Sequence, residues 1–351
     1  MAKLTSQTHV ANQGWIGTSF TLTHAPVTEA EVHLERDPER GKTTPIPVAI
    51  QSIAVEGNKL VITPEPFNYR DGWTLTVGSD RYTRADVDDE QVEGLDAFAA
   101  KKEGEILYRL YSPKSKAPRP LILFLHGGGQ GGYDNQRQLV ADYGPIAFSE
   151  RYPDFYIMAP QAPQPANWAP PANMSRKNDF ASSDQTGKTG WYREYLAGVC
   201  DIIRTMIANG QVDRRRVYVT GLSMGGAGTL RAMSVGNGLF AAAAPVCPTM
   251  TPETFNILRG LVNSKLWISS AYVDHTIYRH KYLVDGIMAL RDAGNQNAHL
   301  TLYSPEELAA YDIATDPDMS LTERFSANHA SWVLTYHDEY GIMSWLTEQT
   351  L

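Results

Sequence analysis

A serine flanked by glycines lies at the centre of the stretch RVYVTGLSMGGAGTLRAM. Ser223 falls between a short β-branched and aromatic run at 217–219, which predicts a strand, and small apolar residues from Ala227 onward, which predict a helix. Gly221 and Gly225 leave room for a strained strand-to-helix turn that raises the hydroxyl above a sheet edge. We therefore predict that Ser223 is a nucleophile. An ordinary glycine-rich turn is the alternative, since GxSxG also occurs by chance.

A serine hydroxyl at neutral pH needs a general base, and the usual base is a histidine oriented by a carboxylate. His329 lies in the segment SANHASW, after the last predicted strand and just before the predicted final helix. Loops at such a sheet edge carry function, so His329 is the predicted base. His337 is the alternative, two turns inside that helix. The other histidines after Ser223 lie too close to the predicted acid or begin a strand: His275, His280 and His299.

The predicted acid is Asp274, which follows the apolar run at 266–268. In parallel sheets the catalytic residues lie at the carboxyl ends of the strands. When the nucleophile occupies a strand-to-helix turn of this kind, the order along the chain is nucleophile, acid, base. Asp285 falls within the next predicted helix. The remaining alternatives lie in a late insertion: Asp312, Asp316 and Asp318.

A glycine-rich loop, HGGG, follows the predicted strand LILFL. Consecutive glycines let backbone N–H groups approach a ligand closely, as an oxyanion hole requires. Gly128 and Gly129 are the predicted donors, together with the N–H of Met224, the residue after the nucleophile. His126 is expected to hold this loop rather than to titrate in catalysis. A phosphate-binding loop is the weaker alternative, because no Lys-Ser/Thr pair follows.

Three side chains near these loops are predicted to bind the substrate. Gln130 continues the glycine loop, Trp168 lies in a long Pro/Asn/Ser/Asp-rich stretch at 162–190, and Trp332 is close to His329. Such long stretches are usually functional or disordered, and the indole rings suit the wall of a pocket for an aromatic or sugar-bearing ester. Core packing is the alternative for each ring, and it is favoured for Trp191.

Strands alternate with helices in the region that must position these residues. Strands are predicted at 106–111, 121–125, 155–158, 217–219, 239–246, 266–269 and 300–303, and helices at 196–207, 282–291 and 331–347. This alternation predicts an α/β fold with a mostly parallel, doubly wound sheet.

The front of the chain has a different pattern. Period-two apolar residues at 14–82, interrupted by prolines, predict a small all-β sandwich. An acidic stretch at 84–104 marks the boundary, and we expect a solvated loop there because its carboxylates lack calcium-loop spacing. The predicted domains are residues 1–95 and 96–351.

Composition and charge limit the kinds of partner that the chain is expected to bind. The chain has 351 residues, of which 31 are basic and 39 acidic, so its net charge is −8. This excess of acidic residues does not indicate binding to nucleic acid or to anionic membranes, which basic surfaces attract. No apolar run is long enough for a membrane span. Cys200 and Cys247 exclude a disulfide framework, although one bridge remains arithmetically open, and Cys200 is expected to be buried. No metal or other cofactor is expected, and a homo-oligomer stays open.

The start of the chain, MAKLTSQTHV, lacks the apolar core of a signal peptide. Two alternatives stay open from the residues: the protein is cytoplasmic, or a leader has been removed.

Together, GLSMGG, HGGG, Asp274 and NHASW resemble the α/β-hydrolase superfamily, within it esterases related to feruloyl esterases and polyhydroxybutyrate depolymerases. The resemblance covers residues 106–351. It implies cofactor-free, serine-dependent hydrolysis of small-molecule or polymer-linked carboxylic esters, outside the cytoplasm. The front segment is similar to the immunoglobulin-like module that precedes the catalytic domain of a thermophilic esterase. The stretch at 304–327 departs from the pattern, because it is longer than the histidine loop usually needs.

Two other functions remain open from the sequence. A serine peptidase of the prolyl oligopeptidase type shares the chain order of the triad, but the front segment is too short for that family's propeller. The second alternative is an inactive adhesion or glycan-binding protein. An inactive protein would have no physical need for a nucleophile, an acid, a base and a glycine loop together, which argues against this alternative.

Overall fold

The structure, a computed structural model, describes residues 2–12, 14–23, 31–38, 43–70, 72–163, 190–274 and 279–351. The chain divides into two compact units. The first contains Met1–Asp96 together with Val140–Ile146, and the second contains Ala97–Leu139 and Ala147–Leu351. The short range at 140–146 falls inside the stretch that we predicted for the second domain.

The first unit is built from two sheets. One has the order β10-β1-β2-β6-β5, with β7 paired to β2, and the other has the order β4-β3-β8-β9. The strands of the first sheet are β1 (Lys3–Ala11), β2 (Gly14–Thr23), β5 (Ile50–Glu56), β6 (Lys59–Pro64), β7 (Phe67–Asn68) and β10 (Val87–Val92). The strands of the second are β3 (Val32–Arg36), β4 (Ile46–Val48), β8 (Trp73–Val77) and β9 (Asp80–Tyr82).

Aromatic residues join these two sheets face to face. Phe20 on β2 and Trp73 on β8 lie with ring centroids 4.8 Å apart, and both are buried. Tyr69 packs against Trp73 at 5.5 Å and against Trp15 at 5.0 Å. Rings of this size bury much apolar area in a small unit, which explains how a core forms from such short strands. The described residues of this region are rich in strands, as the all-β prediction expects.

The acidic stretch at 84–104 is not the loop that we predicted. Most of it forms β10 and β11 (Phe98–Glu103), and β10 pairs with β1 in parallel. The carboxylates of Asp88 and Asp89 are exposed, while Val92 is buried. Charged residues are tolerated on an edge strand, where they discourage pairing with another chain, and β10 is an edge strand.

The second unit contains one sheet of eight strands in the order β11-β12-β14-β13-β15-β16-β17-β18. β14 to β18 pair in parallel along this order, whereas β11 and β12 are antiparallel to their neighbours. The mostly parallel sheet is thus confirmed. Its further strands are β12 (Ile106–Tyr111), β13 (Arg119–Leu125), β14 (Tyr156–Pro160), β15 (Val212–Leu222), β16 (Ala242–Val246), β17 (Leu266–Ala271) and β18 (Ala298–Tyr303).

Helices cover this sheet. They are α1 (Arg137–Val140), α2 (Pro145–Arg151), α3 (Arg193–Ala208), α4 (Met224–Gly236), α5 (Pro252–Gly260), α6 (Arg279–Asp292), α7 (Pro305–Ala309), α8 (Leu321–Ala327), α9 (Trp332–His337) and α10 (Ile342–Glu348). The apolar stripe of α3, which includes Leu196, Cys200 and Ile203, is buried in the main core. β13 is buried along nearly its whole length, as a central strand covered on both faces must be.

The predicted closing helix at 331–347 is wrong as a single element. It is divided into α9 and α10 because Asp338 (φ 67°) and Gly341 (φ 70°) take the left-handed conformation, which ends a helix. Asp338 then accepts a hydrogen bond from the N–H of Met343 near the start of α10.

Both cysteines are free and buried, so no bridge forms between them. Among the helices of the described ranges, none combines the length and apolar character needed to cross a lipid bilayer.

Candidate active site

Ser223 occupies a sharp turn between β15 and α4. Its backbone has φ 57° and ψ −114°, a conformation that L-residues rarely adopt. A Cβ added to Gly225 would lie 1.8 Å from the carbonyl oxygen of Leu125, and one added to Gly221 would lie 2.4 Å from the same atom. Glycine at both positions is therefore required by close backbone packing beneath the serine.

The side chains of Ser223, His329 and Asp274 form one hydrogen-bonded chain. Ser223 Oγ lies 2.8 Å from His329 Nε2, and His329 Nδ1 lies 2.8 Å from Asp274 Oδ1 and 2.9 Å from Oδ2. When Nδ1 carries the ring proton and donates a hydrogen bond to the carboxylate, Nε2 is free to accept a hydrogen bond from the serine hydroxyl. The structure thus brings together the three residues that we predicted as nucleophile, base and acid.

Local contacts fix this arrangement. Asp274 follows β17, is 1% exposed, and accepts a hydrogen bond from Ser270 Oγ at 3.3 Å. His329 lies in a short 3₁₀ helix, Asn328–Ser331, that directly precedes α9. The side-chain amide of Asn328 donates to the carbonyl of Val273 at 3.0 Å and so ties the histidine segment to the acid loop. Asn328 belongs to the quoted NHASW segment, but nothing in its sequence context identified this contact.

The electrostatic environment of His329 favours its charged form. Burial alone lowers the pKa of the imidazole, but the charge of Asp274, the neighbouring Cys247 and hydrogen bonds to both residues outweigh burial and raise the pKa above the ordinary 6.5. A stabilised imidazolium is what a general base needs once it has taken a proton.

The raised pKa predicts a pH dependence. Only neutral His329 can accept the serine proton, so kcat/KM should rise with pH through the pKa of this residue. We expect the acidic limb of the kcat/KM profile to have its midpoint above pH 6.5, with activity falling roughly tenfold for each pH unit below it. Initial rates across a constant-ionic-strength buffer series measure this limb. A midpoint at or below 6.5 would contradict the described charge environment.

The glycine loop lies beside the nucleophile. β13 and β15 are parallel neighbours in which Leu125 pairs with Gly221, so the loop after β13 and the turn after β15 emerge at the same edge. Gly128 and Gly129 belong to a 3₁₀ turn, Gly128–Gln130. Met224 is the first residue of α4, where backbone N–H groups have no acceptor within the helix. These positions suit the predicted oxyanion donors.

His126 holds the glycine loop, as predicted. Its Nδ1 donates to the carbonyl of Gly127 at 2.7 Å, and its Nε2 accepts the N–H of Ala162 at 2.9 Å. Complete burial lowers its pKa to about 4, so the ring stays neutral at physiological pH. Trp191 donates its indole N–H to the carbonyl of His126 and is fully buried, in agreement with core packing.

Gln161, at the end of β14, is a further support of this loop that sequence reasoning missed. Its side-chain amide donates to the carbonyl of Gln130 at 3.0 Å and to Asp134 at 3.0 Å, while its Oε1 accepts the N–H of Asn135 at 2.6 Å. Gln161 is 2% exposed. A glutamine at the carboxyl end of a central strand was the available signal.

The predicted substrate-binding side chains have different surroundings. Trp332 contacts His329 edge-on, with ring centroids 5.7 Å apart. Its indole nitrogen is buried and has no hydrogen-bond partner among the described residues. Gln130 is 4% exposed, and its Oε1 also has no such partner there. Trp168 lies outside the described residues.

Four of the alternative acids and bases contact other residues. His337 ends α9 and contacts the ring of Tyr311, while His299 lies on β18 beside Trp267. Asp285 pairs with Lys281 on α6 at 2.9 Å. His280 stacks on Tyr272, and His275 lies outside the described residues.

Cys247 is a neighbour of the triad that sequence reasoning also missed. A sulfur, a carboxylate oxygen and an imidazole nitrogen from Cys247, Asp274 and His329 lie within 4.8 Å of one another. This spacing would admit a metal ion, but Asp274 and His329 already bind each other through a hydrogen bond. We therefore describe the group as a hydrogen-bonded Asp274–His329 pair with the Cys247 thiol beside it.

Comparisons with known proteins agree with this architecture. The sequence profile of the prolyl oligopeptidase family matches residues 182–285, which is less than half of the chain. No curated protein matches the sequence. The fold is similar to the crystal structure of a thermostable esterase at 20% identity, covering 99% of this chain and 100% of that one with a TM-score of 0.64.

Two further solved structures show weaker similarity. Esterase 2 of Thermogutta terrifontis, phosphorylated by paraoxon, is 13% identical, with 72% of this chain and 96% of that chain covered and a TM-score of 0.42. An acylaminoacyl peptidase is 13% identical, with 99% of this chain and 56% of that chain covered and a TM-score of 0.47. The similarity to the thermostable esterase shows the fold, which in the second unit is an α/β-hydrolase fold. In this unit Ser223, His329 and Asp274 form one hydrogen-bonded chain.

Proposed function

We propose that the protein is a carboxylic ester hydrolase in which Ser223 is the nucleophile, His329 the general base and Asp274 the acid. The observation that carries this proposal is the continuous chain of hydrogen bonds, 2.8 Å from Ser223 to His329 and 2.8 Å from His329 to Asp274. Its position at the carboxyl edge of a parallel sheet is where such folds place their chemistry.

Acylation begins when Ser223 Oγ attacks the ester carbonyl carbon and His329 Nε2 takes the hydroxyl proton. Asp274 holds the ring in the tautomer that leaves Nε2 as acceptor, and its charge stabilises the imidazolium. The backbone N–H groups of Gly128, Gly129 and Met224 stabilise the oxyanion of the tetrahedral intermediate. The bond from carbon to the alcohol oxygen then breaks, and His329 returns the proton to the leaving alcohol.

Deacylation repeats these roles with water. His329 takes a proton from the attacking water, the carbonyl carbon forms its new bond to the water oxygen, and the bond to Ser223 Oγ breaks. The proton returns to Ser223, and the carboxylic acid leaves. Protein groups complete the cycle, and no step needs a cofactor.

The proposed substrates are esters with an aromatic or carbohydrate part. Trp332 places an aromatic ring beside His329, which suits contact with a flat ring of the substrate. We retain Gln130 and Trp168 as further proposed substrate-binding residues. We also assign the two domains as residues 1–95, an immunoglobulin-like sandwich, and 96–351, the catalytic domain.

Peptide hydrolysis is the second candidate, because the matching family profile is that of the prolyl oligopeptidases. The same triad cleaves amides when the site also binds a peptide. The two functions differ in the leaving group, since an amine must be protonated before it leaves, whereas an alcohol leaves more readily.

Substrate preference distinguishes the two candidates. The purified chain should hydrolyse p-nitrophenyl acetate and feruloyl esters with a kcat/KM at least about 100-fold above that for matched peptide p-nitroanilides, a difference of about 2.7 kcal/mol in the barrier. Continuous absorbance assays measure both. Faster cleavage of the peptide substrates would favour the peptidase, and a folded protein inactive on both would oppose hydrolysis altogether.

A further inference from the structure

A short segment at the end of β16 contacts the backbone of the nucleophile. It consists of Val246, the last residue of β16, and of Cys247, Pro248 and Thr249, and we call it the 246–249 turn. The N–H of Ser223 donates to the carbonyl of Val246 at 3.0 Å, and the N–H of Thr249 donates to the carbonyl of Ser223 at 3.1 Å. The backbone of the nucleophile is therefore held on both sides by this turn.

Cys247 adopts an unfavourable backbone conformation within the turn. Its φ is 35°, in the left-handed region, and the following Pro248 further restricts its backbone. Its N–H donates to the carbonyl of Ser269 on β17 at 2.7 Å, which fixes it in place. Glycine would adopt this conformation at lower cost. The backbone alone thus gives no reason for a cysteine side chain here.

The thiol of Cys247 faces the acid and base. It is completely buried, and its sulfur lies within 4.8 Å of a carboxylate oxygen of Asp274 and a ring nitrogen of His329. The carboxylate of Asp274 lies 2.8 Å from His329 Nδ1, so the thiol adjoins a hydrogen-bonded acid–base pair. A thiol can donate weakly to the carboxylate, and its polarisable sulfur is a favourable neighbour for the charged imidazolium.

We propose that Cys247 is a positioning residue of the triad, whose thiol holds Asp274 and His329 in register and stabilises the imidazolium formed when Ser223 loses its proton. This role rests on the proposed function. One turn then controls the site in two ways, by hydrogen bonds to the backbone of the nucleophile and by a side-chain contact to the acid–base pair. The contribution of Cys247 to the raised pKa of His329 agrees with this role.

Three substitutions of Cys247 distinguish the effect of the thiol from the effect of the backbone conformation. Cys247→Ala removes the sulfur, Cys247→Ser keeps a donor of smaller size, and Cys247→Gly removes the side chain while relieving the unfavourable φ. Cys200→Ala is the matched control, because Cys200 is the other free, buried cysteine and lies on α3. Each full-length variant is compared with the wild type by thermal unfolding, by kcat and KM on p-nitrophenyl acetate, and by the pH dependence of kcat/KM.

We expect Cys247→Ala to lower kcat roughly tenfold with KM changed less than about twofold, as for the loss of one hydrogen bond to a charged group. The acidic limb should move to lower pH, because removing the sulfur lowers the pKa of His329. Cys247→Ser should recover part of kcat. Cys247→Gly should lose activity like the alanine variant, although its backbone is less strained, and Cys200→Ala should keep the wild-type pH profile.

Several results would overturn the role of Cys247. One is a Cys247→Ala variant with the wild-type pH limb and kcat, and another is a Cys247→Gly variant as active as the wild type. If the alanine variant does not fold, a Cys247→Gly variant with the wild-type pH limb has the same meaning, because glycine adopts the φ of this position without strain. Failure of the proposed function is distinct, because the wild-type protein would then show no ester hydrolysis.

Discussion

Replacing His329 with alanine is expected to lower kcat for ester hydrolysis by about 10⁴-fold or more. His329 Nε2 is 2.8 Å from the hydroxyl of Ser223, and no other histidine in the described residues hydrogen-bonds to that hydroxyl. Without the imidazole, the hydroxyl must lose its proton to water, which is a far weaker base. Steady-state kinetics on p-nitrophenyl acetate, with purified protein free of other esterases, measure the loss.

His337→Ala is the matched control for this experiment. His337 lies at the end of α9, and its ring contacts Tyr311. Its backbone carbonyl accepts a hydrogen bond from the side chain of Arg151, and the alanine variant keeps this carbonyl. We expect kcat to change by less than about threefold, the range of a surface substitution. A large loss in His337→Ala together with a small one in His329→Ala would reverse the assignment of the base.

Asp274→Asn is expected to lower kcat by about 10⁴-fold. The amide keeps the shape of the carboxylate, but its NH₂ group can donate to His329 Nδ1, so the ring proton moves to Nε2. The nitrogen facing Ser223 then cannot accept the hydroxyl proton. The lost negative charge also lowers the pKa of His329, so the remaining activity should have its acidic limb at lower pH than the wild type.

Asp285→Asn is the control for the loss of a carboxylate. Asp285 forms an exposed i,i+4 pair with Lys281 on α6, and exposed pairs of this kind contribute little to stability. Its activity should equal that of the wild type within about twofold. If Asp274→Asn retained most of the wild-type kcat, the acid would have to be a different residue.

The sequence was most informative where local chemistry has few solutions. A serine between Gly221 and Gly225 identified the turn because any larger residue at those positions would collide with the Leu125 carbonyl. His329 and Asp274 could be selected because they follow predicted strands of one parallel sheet. The alternation of strands and helices also predicted the sheet itself, since the 3.6- and two-residue periodicities are written in the sequence.

Other features depend on contacts between distant residues, which local patterns do not contain. Acidic residues at 87–92 indicated a loop, but their pairing with β1 makes them an edge strand. The break between α9 and α10 depends on Asp338 in a left-handed conformation, which aspartate adopts only in some contexts. Cys247 and Gln161 acquired their significance only when the ends of neighbouring strands were brought together.

The most direct test of the central claim, that Ser223 is an activated nucleophile, is labelling by a fluorophosphonate followed by peptide mass spectrometry. We expect one phosphonyl adduct on Ser223 in the wild type, and none in the folded Ser223→Ala variant. Labelling of wild-type Ser223 should slow as the pH falls through the raised pKa of His329. A folded wild-type protein that remains unlabelled, or one that is labelled at a different residue while Ser223→Ala keeps its activity, would contradict it.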